Sequence, residues 1–170
     1  MGRAAVRPMW HVAVFLILLV ASVGYAFWRG GSPERIGAAV LLGGTLASFF
    51  AVSGAHARWL NLETGLLIVD AAMLAAILIL LVRANRLWPI PMAALLIVQV
   101  AGHFLKTLDP HIYPFLYWLT SSLWSYLVTA ILIVATHNHR RRLKKFGQDI
   151  SWNASSRRSS ASDRAISREP

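Results

Sequence analysis

The stretch TGLLIVDAAMLAAILILLV, residues 64–82, decides the fold. Apart from Asp70 it carries no charge. A helix needs ~20 mostly apolar residues to cross a hydrocarbon core of ~30 Å, with a range of ~17–25. This run meets that length, so it reads as a membrane-spanning helix. Four more runs of similar character flank it: Trp10–Trp28, Ile36–Gly54, Trp88–Leu105 and Ile112–Ala135. Five such runs in 170 residues leave almost nothing for a soluble domain. The expected fold is an all-α integral membrane bundle of five transmembrane helices over residues 1–136. A polybasic juxtamembrane segment and a Ser/Arg-rich tail follow over 137–170.

Composition agrees. Hydrophobic residues make up 56% of the chain and charged residues only 14%. There is no cysteine, which excludes disulfides, thiolate metal sites and iron–sulfur clusters. The net charge is +10. Residues 137–170 hold nine Lys/Arg against Asp149, Asp163 and Glu169. With a bilayer already implied, this basic excess reads as topology and contact with anionic lipid rather than nucleic acid. Each basic residue near such a surface contributes about 1 kcal/mol. Arg140, Arg141, Arg142, Lys144 and Lys145 are the expected headgroup contacts. From Ser151 onward large apolar groups are few, so disorder is expected.

The connections are legible. Trp10 and Trp28 bracket the first run as interfacial aromatics do. Bulky Phe27-Trp28 follow the small-x-small triplet Gly24-Tyr25-Ala26, which argues for a retained span over a cleaved leader. Ser32-Pro33-Glu34 predicts a helix start, with Ser32 as N-cap, Pro33 at the first helical position and Glu34 against the helix dipole. Lys/Arg placement sets orientation. With the C-terminus inside, nine basic residues (Arg29, Arg35, Arg83, Arg86 and the 140–145 cluster) lie inside and four (Arg3, Arg7, Arg58, Lys106) outside. The expectation is N-out and C-in, in a bacterial inner membrane.

Several polar or small residues interrupt the apolar pattern. Ala39, Gly43, Ala47, Ala51 and Ala55 recur every four positions, a ladder that lets another helix approach closely. Intrachain packing is the favoured use, and a homodimer face the sharper one. Asp70 lies two turns from Glu63 on the same helix face. A carboxylate at the bilayer centre costs ~2.5–3.5 kcal/mol on insertion scales, so it is expected to be paired or functional. Gln99, His103 and Lys106 share a face of the fourth run. The orientation puts His11, His56, His103 and His111 toward the outer side. Imidazole with carboxylate suits a transition metal, although no pair has the i,i+4 spacing of a helical metal site. In the fifth run Thr120, Ser121, Ser122, Ser125 and Thr129 form a mildly polar side that could receive Asp70 or bond its own helix carbonyls.

Trp28-Arg29-Gly30-Gly31, Pro33-Glu34-Arg35, Val69-Asp70, Gly102-His103, Asp109-Pro110 and Leu123-Trp124-Ser125-Tyr126 form a pattern. It resembles small inner-membrane proteins of sphingomonad-type bacteria over about Trp10–Arg142. The resemblance implies an inner-membrane location and carries no activity or site residue.

No Walker loop, GxSxG elbow, HExxH or dinucleotide fingerprint occurs. The leading expectation is therefore a non-enzymatic accessory or assembly protein acting by helix packing, alone, as a homo-oligomer or in a larger membrane complex. The alternatives are a small transporter or proton- or cation-handling protein using Asp70 and His103, and a metal- or haem-binding anchor using the outer histidines. The sequence leaves the cofactor open.

Overall fold

The computed structural model describes residues 10–51, 64–108, 114–147, 149, 151 and 152. Five helices follow in order: α1 (Trp10–Arg29), α2 (Ser32–Ala51), α3 (Thr64–Arg83), α4 (Pro89–Leu108) and α5 (Pro114–Phe146). Among the described residues there is no strand beyond one isolated bridge. α1, α2 and α3 are each long and apolar enough to cross a membrane. The apolar part of α4, Pro89–Leu105, is shorter.

Each helix packs against the next, and α5 returns against α1 to close the ring while also touching α2. Phe15 of α1 meets Tyr126 of α5 edge-on, with ring centroids 5.8 Å apart. The core runs through Leu19, Leu41, Ile77, Met92, Leu96 and Leu132. Outside it, large apolar side chains face outward: Ile17, Val20, Phe49, Phe50, Ile68 and Val82 are all more than 60% exposed. Water would penalise such a surface at about 25 cal/mol per Å². A bilayer does not.

Local chemistry sets the helix ends. The Gly31 carbonyl accepts from the Arg35 amide at 3.0 Å. Gly31 is therefore the N-cap of α2, one position earlier than expected, and Ser32 is the first helical residue. Pro33 is still tolerated, because first-turn amides have no intrahelical partner. Pro89 opens α4 and Pro114 opens α5 in the same way.

α5 runs 33 residues, straight through the change in composition at His137. It stops at Gly147, whose φ of 69° is the left-handed geometry of a helix C-terminus, with its amide bonded to Leu143 O at 3.0 Å. The chain then folds back. The Asn85 amide donates to Ser151 O at 3.1 Å, and Trp152 bridges to Ala84. Ser151 and Trp152 are thus both partly buried, within the stretch for which disorder was expected; residues 153–170 lie outside the described residues.

Most of the small-residue ladder is left uncovered, along the groove between α2 and α3. Ala39, Gly43 and Ala47 are exposed, and α2 buries Gly37, Ala38, Leu41 and Gly44 instead. Gly37 lies under the Trp88 indole and Gly44 under the Met73 thioether. These bulky partners select the neighbouring stripe as the inner face. Of the ladder, Ala51 is half-buried, with Gly65 packed against it. Ala55 lies outside the described residues.

Candidate functional site

Buried polar groups gather at two levels of the bundle. The first joins α3 to α4. Asp70 sits six residues into α3, roughly 9 Å along its axis. His103 lies near the opposite end of α4. Because adjacent helices run antiparallel, the two meet: His103 Nε2 is 3.0 Å from Asp70 Oδ2, with side chains 2% and 7% exposed. With its proton on Nε2, the imidazole donates to the carboxylate. The sequence named both residues and expected Asp70 to be paired or functional, without fixing His103 as its partner.

Asp70 borders a cavity of about 130 Å³ on the bundle axis. Its polar lining comes from Thr45, Ser48, Asp70, Gln99, Ser125 and Thr129, on four helices. One water needs ~10–15 Å³ by the same measure, so the space accommodates several. Thr45 donates to Leu41 O at 2.9 Å and Thr129 to Ser125 O at 2.8 Å. Thr129 therefore serves its own helix, and His103 takes Asp70.

The second level lies at the opposite, basic end, where the α1–α2 turn, the α3–α4 connection and the end of α5 converge. Arg86, in the α3–α4 connection, is its hub. Nε donates to Glu34 Oε1 at 3.1 Å, while Nη1 and Nη2 grip Asp149 at 3.0 and 2.8 Å as a two-pronged fork. Nη1 also reaches Asn85 O and Nη2 reaches Ser151 Oγ. Asp149 accepts from Arg142 Nε at 3.1 Å and bonds His139 Nδ1. Burial pushes the Asp149 carboxyl up, but the His139 bond and the charges of Arg86 and Arg142 outweigh it and hold the group below its ordinary 3.8. Glu34 is completely buried. Its Oε1 accepts from both Arg86 and Trp88 Nε1, the latter at 3.2 Å. Its Oε2 has no partner among the described residues.

Sequence reasoning missed this second level. It read Glu34 as a dipole partner, Arg86 and Arg142 as topology or headgroup charges, and Asp149 as a tail residue. One signal was available: with seven acids against seventeen bases, an acid beside an apolar run invites a search for its cation.

The remaining expected site residues divide simply. Gln99 is half-buried at the cavity. Glu63, His56 and His111, and the side chains of His11 and Lys106, lie outside the described residues. Of the four histidines considered for a metal, only His103 has a described side chain, paired with Asp70. Among the described residues no three His or acidic groups are placed to hold a metal ion. Arg141, Lys144 and Lys145 are exposed and Arg140 half-buried; Arg142 is partly committed to Asp149.

Comparison of the chain with protein-family models, with curated proteins and with solved structures finds no match. The functional reading therefore rests on the two polar levels themselves.

Proposed function

We propose that this chain is a multi-pass bacterial inner-membrane protein with five spans, N-out and C-in, that handles protons through the Asp70–His103 pair. The observation that supports this best is a buried carboxylate–imidazole pair 3.0 Å apart, bordering a polar cavity inside a bundle whose outer surface is apolar. An ionisable pair at membrane depth costs free energy that an apolar pair would not, which favours a use for its charge. Imidazole and carboxylate exchange a proton over such a distance without rearranging the backbone. Purified protein in liposomes loaded with a pH-sensitive dye tests this reading. Under an imposed pH gradient, protein-dependent proton flux is expected, reduced at least tenfold in Asp70→Asn. Unchanged flux in that variant contradicts the mechanism.

A second reading, an accessory or assembly protein, is favoured by a different feature. Ala39, Gly43 and Ala47 of α2 and Ala72 and Ala76 of α3 line an open apolar groove between the two helices. Small residues at such a surface allow a partner helix to approach. Gly43→Leu would fill the groove and is expected to abolish co-purification with a membrane partner or a second copy. At the inner face, the exposed Arg141, Lys144 and Lys145, with Arg140, suit anionic headgroups.

A further inference from the structure

Charge has to balance around the Asp70–His103 pair. A hydrogen lies between His103 Nε2 and Asp70 Oδ2, because two lone pairs 3.0 Å apart would repel. With that hydrogen alone, whichever atom holds it, the pair carries one negative charge. With one proton more, on the ring or on the carboxyl, it is neutral. Both side chains are more than nine-tenths buried. An uncompensated charge at such a site is strongly disfavoured. Asp70 is the one ionisable residue bordering the axial cavity among the described residues. α1 brings Phe15 and Leu19 to it, α2 and α5 bring hydroxyls, and α4 brings Gln99 and Leu96. No fixed cation is there to balance the singly protonated pair, so a mobile one is called for.

The lining says which kind. Thr45 and Thr129 have given their hydroxyl hydrogens to Leu41 O and Ser125 O. A hydroxyl has one hydrogen and two lone pairs, so what these two can still offer a guest is acceptor oxygen. An ionised Asp70 is acceptor-only, and the Gln99 amide adds a carbonyl oxygen. Such oxygen donors suit a hard cation and not a soft transition metal. One negative charge balances a monovalent ion, whereas a divalent ion would leave a positive charge buried. The cavity of about 130 Å³ has room for a small alkali ion together with water to complete its shell.

We propose that this cavity binds a sodium ion against Asp70, and that the ion and one proton take turns at the Asp70–His103 pair. The inference rests on the proton-handling reading and names the ion that is exchanged. With sodium bound, the pair holds its single hydrogen and the ion supplies the balancing charge. When sodium leaves, hydronium gives a proton to the pair and becomes water, and the pair is neutral. When sodium returns, that proton passes back to water. No electron moves, and one positive charge replaces another. The buried charge is therefore the same in both states, and the state with neither ion is the disfavoured one.

Binding and transport are tested separately. Purified protein in detergent is titrated with sodium chloride, using radioactive sodium to count bound ions and a pH dye to count released protons. Saturable binding is expected, with a proton released for each ion bound, an affinity that falls as pH is lowered, and loss of both signals in Asp70→Asn. Thr45→Val removes one cavity oxygen at similar volume and leaves the pair in place. It is expected to raise the half-saturating sodium concentration about fivefold. No sodium binding, or binding without proton release at any pH between about 5 and 8, overturns the inference. So does an unchanged affinity in Thr45→Val, which puts the ion elsewhere. In liposomes, an inward sodium gradient is expected to drive protons outward, and a choline gradient is not. If a pH gradient drives equal Asp70-dependent flux in sodium and in choline media, proton handling stands and sodium exchange is refuted. If sodium binds with proton release but no flux occurs in either medium, the binding site stands and the transport reading fails.

Discussion

The two polar levels are built on opposite principles. Asp70 and His103 share one direct bond and border a cavity. Arg86 is held from every side by Glu34, Asp149, Asn85 and Ser151. A pair beside a cavity has space next to it that can admit water. A saturated hub cannot lose a member without stranding a buried charge. On the proposed reading, proton chemistry belongs to the first level. The second level closes the bundle at its basic end.

The largest effect expected from this contrast is at the hub. Arg86→Ala leaves Glu34 and Asp149 buried without their cation, and breaking a buried ion pair costs ~3–5 kcal/mol. Thermal unfolding in detergent should drop accordingly, and the chain after Gly147 should detach. Asp70→Asn should barely change the unfolding temperature while removing flux. If the two variants lose stability equally, the contrast is wrong.

Glycine substitutions sharpen the comparison. Gly31→Ala pushes a methyl to 2.9 Å from Glu34 Oε2 and the His139 ring, and such overpacking costs ~1–3 kcal/mol. Gly102, beside His103, has nothing within 4 Å of its would-be Cβ. Gly102→Ala should therefore leave stability unchanged or raise it by under ~1 kcal/mol through helix propensity. Parallel melts of the two variants check this.

The smallest effect is with pH. Asp149 is held below its ordinary 3.8, so its contribution to docking the returning segment is complete above that value. It is lost only as pH falls through the lower folded-state value. Hydrogen-exchange protection of the Asn85 amide, bonded to Ser151 O, should be unchanged between about pH 7 and pH 5. Loss of protection already at pH 5 would mean that Asp149 is not the latch.

Much of the fold was legible because membrane spans are written as length and hydropathy. All five apolar runs became helices. Asp70 and His103 were legible as anomalies within such runs. That Asp70 needs a partner was legible too; that the partner is His103 was not, since it depends on the relative register of α3 and α4. The α2 ladder was misassigned by one stripe: periodicity finds small residues, but only Trp88 and Met73 determine which of them lie beneath a neighbour. The basic-end hub was hidden more deeply. Glu34 and Arg86 are 52 positions apart, and Asp149 reaches Arg86 only because Gly147 turns the chain back.

The most direct test of the account is whether Asp70 and His103 work as a unit. Proton flux should be measured in liposomes for Asp70→Asn, His103→Gln and the double variant at matched protein content. If the pair shares one proton, each single change removes most of the flux and the double change removes little more. Single variants near wild-type flux, or losses that simply multiply in the double, would contradict a shared proton site.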